Sequence, residues 1–179
     1  MPDYRRLYVK GGTYFFTVVT YNRRPIFTNE PEINLLLHCM QVVSENHPFQ
    51  IDAFVIMPDH LHALWTLPEN DADFSLRWRQ IKSQFTRQFQ RNKSKFGEIN
   101  STEITYNVWQ RGFWEHLIRD QEDFNRHCDY IHFNPVKHGL ASSPDEYDFS
   151  SFHTFMQKGI YKSDWGKLPD KTLLEMDLE

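Results

Sequence analysis

Aromatic and β-branched residues run almost unbroken from Thr13 to Tyr21, which predicts a strand. The polar Asn22-Arg23-Arg24-Pro25 after it predicts a loop. Ile33, Leu36, Leu37, Met40 and Val43 then recur at helical spacing. A helix is therefore expected from about Pro31 to Asn46, with one proline in its first turn and Pro48 beyond its end. Phe49 to Met57 reads as a second strand, Pro58-Asp59 as a tight turn, and His60 to Leu67 as a third strand hairpinned onto the second. From Phe74 to about Asn92, Trp78, Ile81, Phe85 and Phe89 form an apolar helical stripe that Asp73 is placed to cap. Asn92 to Asn107 is polar and reads as loop, and Val108 to Ile118 as a strand or strand pair. Asp120 to Asn134 reads as a third helix, stopped by Pro135. Strand, helix, strand, strand, helix, strand is the order of a ferredoxin-like α+β fold: an antiparallel sheet with two helices on one face. The last helix is an addition to that core.

Charge changes this picture in one place. The chain of 179 residues carries a formal net charge of −4, which by itself argues against a polyanionic partner. Between Phe74 and Phe96, however, stand seven basic residues and no acid: Arg77, Arg79, Lys82, Arg87, Arg91, Lys93 and Lys95. A localised basic stripe is what a phosphate-binding face requires, although most such runs are simply solvated. Arg5, Arg6, Lys10, Arg23 and Arg24 add charge near the N-terminus. Cys39 and Cys128 show no disulfide or zinc spacing. No apolar run approaches a membrane span, and no signal-like region follows Met1. The reading is a reduced, cytoplasmic protein with no membrane partner. Residues 1–145 are taken as the catalytic unit and 146–179 as a C-terminal tail.

The chemistry concentrates in two segments. In the predicted third strand, His60 and His62 share a face, with Leu61 on the other, at an α-carbon separation of ~6–7 Å from the strand rise. That spacing suits two ligands of one metal ion; it equally suits two histidines on a wet sheet face. In the predicted last helix, Tyr130 and Asn134 are four apart and so share a face. Alone, Tyr130 reads as a core aromatic and Asn134 as a helix end before Pro135. If these residues meet the histidines, two nitrogens and an amide oxygen make a metal site with open positions. No Gly-rich phosphate loop and no serine-hydrolase arrangement is present.

Pro58-Asp59-His60-Leu61-His62 resembles the histidine–hydrophobic–histidine motif of single-strand DNA nucleases and transposases. Together with Trp109-Gln110-Arg111-Gly112-Phe113-Trp114-Glu115-His116 and Asp129-Tyr130-Ile131-His132-Phe133-Asn134-Pro135-Val136-Lys137-His138-Gly139-Leu140, it is similar to the REP-associated tyrosine transposases. The similarity runs through nearly all of the chain except about its last dozen residues. It implies a metal-dependent, single-stranded DNA endonuclease and strand transferase that acts on hairpins of repetitive extragenic palindromes through a 5′-phosphotyrosine. It implies Tyr130 as nucleophile, His60, His62 and Asn134 as metal ligands, Mg2+ or Mn2+ as the ion, and a nucleoid-associated location. Arg5, Arg6, Lys10, Arg23, Arg24, Arg79, Lys82, Arg87 and Lys137 are the candidate DNA contacts, and the protein is expected to act as a monomer or homodimer. The rival reading is a domesticated hairpin-binding protein with little or no cleavage.

Overall fold

The computed structural model describes residues 6–95, 107–162, 164–166, 171–176 and 178. Four strands form one antiparallel sheet in the order β2-β3-β1-β4: β1 (Thr13–Val19), β2 (Gln50–Ile56), β3 (His60–Thr66) and β4 (Trp114–Leu117). Two helices, α1 (Glu30–Asn46) and α2 (Phe74–Lys95), cover one face. The third, α3 (Gln121–Lys137), lies on the other, against β2 and β3. The expected α+β sheet with helices packed on it is present.

Strand alternation decides which residues each layer receives. Tyr14, Phe16 and Val18 of β1 and Leu61, Ala63 and Trp65 of β3 face α1 and α2. There Trp65 stacks on Trp78 with ring centres 4.1 Å apart, and among the described residues this aromatic layer is the larger of the two cores. Phe15 and Thr17 of β1, His60, His62 and Leu64 of β3, and Trp114 and His116 of β4 occupy the opposite face by register. Because both faces are covered, β3 is buried at every position but its last. This is why it reads as nearly continuous apolar sequence around two histidines.

Three boundaries differ from the sequence expectation. The last core strand is only four residues, because Val108 to Phe113 lie outside it as a bridge and bends. Helix α3 does not stop at Pro135 but runs to Lys137. A proline forfeits its own N–H bond, and here the end of the helix is held by other bonds: His138 N to Asn134 O, Gly139 N to Val136 O and Leu140 N to Pro135 O. Pro135 itself is buried, so tertiary packing overrides the local signal. Helix α2 extends to Lys95; most of the loop expected over 92–107 lies outside the described residues. Asp73 does cap α2, accepting from Leu76 N at 2.8 Å.

The segment after α3 packs beside it. Ser150 bridges Val55 of β2, and Ser151 N donates to Phe54 O. Two short helices follow, α4 (Phe152–Gln157) and α5 (Lys171–Glu175). His132 of α3 is fully buried between Ser151 Oγ at 2.7 Å and Tyr161 Oη at 3.0 Å, and Tyr161 donates onward to Asp129. Among the described residues, no helix is long and apolar enough to cross a membrane.

Candidate active site

The histidine pair and the tyrosine helix occupy the same side of the sheet. The rings of His60 and His62 lie 4.9 Å apart, and the ring of Tyr130 stands 5.2 Å from that of His62, edge to face. Eight residues along α3 from Tyr130, the ring of His138 lies 5.4 Å from His60. Asn134 falls midway on that stripe, one turn from each. The side chains of His60, His62, Tyr130 and Asn134 are all buried.

Each histidine is oriented by its Nδ1. The Asp59 carboxylate accepts from His60 Nδ1 at 2.6 Å. Its carboxyl is held down at about 2, chiefly by that hydrogen bond and further by Arg23, 3.2 Å away. For His62 the partner is Thr17 Oγ1, at 3.0 Å. The Thr17 hydroxyl gives its own hydrogen to Leu178 O at 2.6 Å, so its oxygen must accept from His62 Nδ1. In the neutral rings both Nε2 atoms therefore carry the lone pair a metal uses, and the outer partners fix the tautomers. Burial pushes the His62 imidazole well below its ordinary pKa, and the neighbouring cations push the same way. His62 is thus neutral, the ligating form.

A metal fits these residues. Among the described residues, His62 Nε2 and both amide atoms of Asn134 are buried without a hydrogen-bond partner. Leaving such atoms unsatisfied costs about 1–3 kcal/mol each, a cost that a bound ion would remove. Two imidazole nitrogens and an amide oxygen form a donor set compatible with several divalent ions.

A second cluster stands nearby on the same face. His116, Asp123 and His127 place potential ligand atoms within 4.8 Å of one another. Its carboxylate is already engaged: Asp123 Oδ2 accepts from His116 Nε2 at 2.8 Å and from Arg119 N and Nε at 3.1 Å each. This trio pins the start of α3 to β4.

The basic residues divide by layer. Lys137 is at the site: its Nζ lies 5.0 Å from the centre of the Tyr130 ring and donates to Met176 O at 2.6 Å. Arg23 is at its rim through Asp59, and Arg24 is exposed beside the Tyr21 ring. Arg79 and Arg87 are exposed on α2, in the opposite layer. Lys82 donates to the carbonyls of Gln110 and Gly112, and burial brings its ammonium down to about 8. Arg6 binds Ser75 and Glu115 and covers the Phe113 ring. Lys10 is exposed, and Arg5 lies outside the described residues. Arg77, counted in the basic stripe, is buried on Asp71 and on the carbonyls of His47, Pro48 and Asp73, so it is structural.

The sequence signature of the family described as "Transposase IS200 like" matches residues 8–134, which include His60, His62, Tyr130 and Asn134. A REP-associated tyrosine transposase of Escherichia coli (strain K12) is 44% identical over 165 residues, covering 92% of this chain and 91% of that one. This chain belongs to the REP-associated tyrosine transposases. A Haemophilus influenzae relative is 42% identical over 170 residues, covering 95% and 96% of the two chains. A solved REP-associated tyrosine transposase, bound to a REP hairpin, superposes with a TM-score of 0.78 at 42% identity and full coverage of both chains. As a transposase the protein is a DNA-cleaving enzyme. The groups that orient the two histidines in this transposase, Asp59 and Thr17, went unassigned in the sequence. The adjacency of Asp59 to His60 was a usable signal, whereas Thr17 is 45 residues from His62 and only strand register joins them.

Proposed function

We propose that this transposase is a divalent-metal-dependent endonuclease and strand transferase acting on hairpins of repetitive extragenic palindromes, with Tyr130 as its nucleophile. The observation that carries the reading is the 5.2 Å approach of the Tyr130 ring to His62 across one buried face. The Tyr130 oxygen attacks a backbone phosphorus; its bond to phosphorus forms as the bond to the leaving 3′-oxygen breaks. The products are a 5′-phosphotyrosine and a free 3′-hydroxyl. One phosphoester replaces another, so the step is close to balanced and can run backward to join strands.

His60, His62 and Asn134 would hold the ion, Mg2+ or Mn2+, which supplies Lewis-acid stabilisation of charge on the phosphate. Asp59 and Thr17 keep the ligand nitrogens aimed. Lys137 contributes positive charge beside the phenol ring. Unpaired DNA suits this geometry, because a nucleophile fixed on a helix needs an accessible, in-line phosphate. Among the exposed cations, Arg23, Arg24, Arg79 and Arg87 are the contacts proposed for hairpin phosphates.

The relative's bound REP hairpin supports the choice of substrate. The test is a covalent adduct. Wild-type protein with labelled hairpin and Mn2+ should give a denaturation-resistant protein–DNA band. Tyr130→Phe should remove the band while hairpin affinity stays within about threefold. Cleavage surviving in Tyr130→Phe would refute the nucleophile, and tight binding with no cleavage by the wild type would favour the binding-only reading.

A further inference from the structure

A third imidazole stands at the open end of the ligand row. His138 follows the last turn of α3, and its ring centre lies 5.4 Å from that of His60. That position depends on the helix running past Pro135. Tyr130, Asn134 and His138 then fall at intervals of four along one stripe of one helix. A helix ended at Pro135, as the local sequence signals, would give the last of them no reason to share the face of the other two. The backbone N–H of His138 closes the helix on Asn134 O and Val136 O, and Gly139 at φ +67° turns the chain away. Capping is thus backbone work and does not require the imidazole.

Imidazoles that share an ion have a characteristic spacing. With a metal–nitrogen distance of about 2.1 Å, two such rings have their centres about 4.5–5.5 Å apart at octahedral to tetrahedral angles. His60 and His62 meet this at 4.9 Å, and His60 and His138 meet it at 5.4 Å. Neither pair is stacked, because the ring planes are inclined at 74° and 59°. His138 is also near enough to His62 for its charge to count among those that push the His62 pKa down. Packing does not explain the placement, since His60 and His62 are buried whereas His138 is exposed. His138 therefore borders the histidine pair on its solvent side.

We infer that His138 is a third imidazole ligand of the ion that His60, His62 and Asn134 hold. The set becomes three ring nitrogens and one amide oxygen, all neutral. Such a set suits a transition-metal ion, for which imidazole is a better ligand than it is for Mg2+. No charge within the set offsets that of the ion, so the ion presents its full charge to an incoming phosphate. The inference rests on the proposed metal site, and its test reads metal binding by DNA-free protein, without cleavage.

Zn2+ is the probe, because it accepts imidazole and is diamagnetic. One equivalent added to wild-type protein carrying 15N-labelled histidine should move the ring nitrogens of three histidines to the metal-bound range of the NMR spectrum. Replacing His60 and His62 together by alanine should abolish these signals. Two ligated rings in the wild type would overturn the third ligand and leave the pair standing. Signals that survive loss of the pair would place the ion elsewhere and overturn it as well. By calorimetry, His138→Ala should weaken Zn2+ binding at least about tenfold, since losing even an outer partner of a ligating histidine costs that much. Hairpin affinity in the presence of a chelator should stay within about twofold. Unchanged Zn2+ affinity, with or without a loss of hairpin affinity, would overturn the inference. The count of ligated rings needs no variant at position 138, so it decides the matter even if His138→Ala is unstable. A wild type that binds no Zn2+ would defeat the metal site itself, a result distinct from losing the third ligand alone.

Discussion

Thr17 shows how much a single hydroxyl can determine. It receives the Nδ1 hydrogen of His62 and passes its own to Leu178 O, which leaves His62 Nε2 as the lone-pair atom. Thr17→Val keeps the shape and removes the acceptor, so His62 is free to take the other tautomer or rotate. Loss of an outer-shell partner of a ligating histidine costs about 10- to 100-fold in metal affinity. A Mn2+ titration of adduct formation, run well below the melting temperature of the variant, should show the Thr17→Val midpoint raised by that factor, beside a loss of stability from the two hydrogen bonds removed. An unshifted midpoint would mean that Thr17 does not orient the ring. Cys39 and Cys128, in contrast, are packed thiols whose burial pushes them up to about 11 and about 12, and neither shows the disulfide or zinc spacing whose absence the sequence already indicated.

At the scale of the element, α3 depends on how its first turn is tied down. Asp120 caps the helix by accepting from Asp123 N, and the Asp123 carboxylate gathers Arg119 and His116. Burial pushes the Asp123 carboxyl up, but hydrogen bonds from Arg119 and His116 outweigh it and hold the group well below the usual carboxylate range. A carboxyl depressed in the folded state stabilises the fold fully above its unfolded pKa of about 3.9, and that contribution is lost progressively as pH falls from there through the lower folded pKa. Asp123→Asn should therefore cost about 2 kcal/mol at pH 7, the scale of hydrogen bonds to a charged group, and less at pH 3, where the loss has begun. Urea unfolding of both proteins at the two pH values checks this; a gap that stays constant with pH would show that the charge is irrelevant. Since α3 carries Tyr130 and Asn134, adduct yield should fall with the same substitution.

For the whole molecule, the two layers divide the labour. The layer of α1 and α2 contains the main aromatic core, and α2 presents Arg79 and Arg87 to solvent. The opposite layer contains the site. A hairpin held by both would have to pass an edge of the sheet; beside the β4 edge Lys82 and Arg6 already bind protein groups. Replacing Arg79 and Arg87 together by alanine should lower the slope of log affinity against log salt by about 2 while leaving the chemistry of bound DNA intact, since each phosphate contact contributes about one unit. A slope that does not move would exclude α2 from the DNA path.

The order and type of the core elements were legible in the sequence because they depend on periodicity: TYFFTVV in β1 and the Trp78, Ile81, Phe85, Phe89 stripe of α2 reflect local geometry. The pairing of His60 with His62 on one face was equally fixed by strand alternation. Other features required the assembled fold. Nothing local says on which face α3 lies, that it runs on through Pro135, that Leu178 reaches Thr17, or that Arg77 and Lys82 are tied to protein carbonyls. Spacing along the chain fixes which side chains share a face of one element. Which faces meet is fixed by the apolar surface they bury together, and that is a property of residues far apart in sequence.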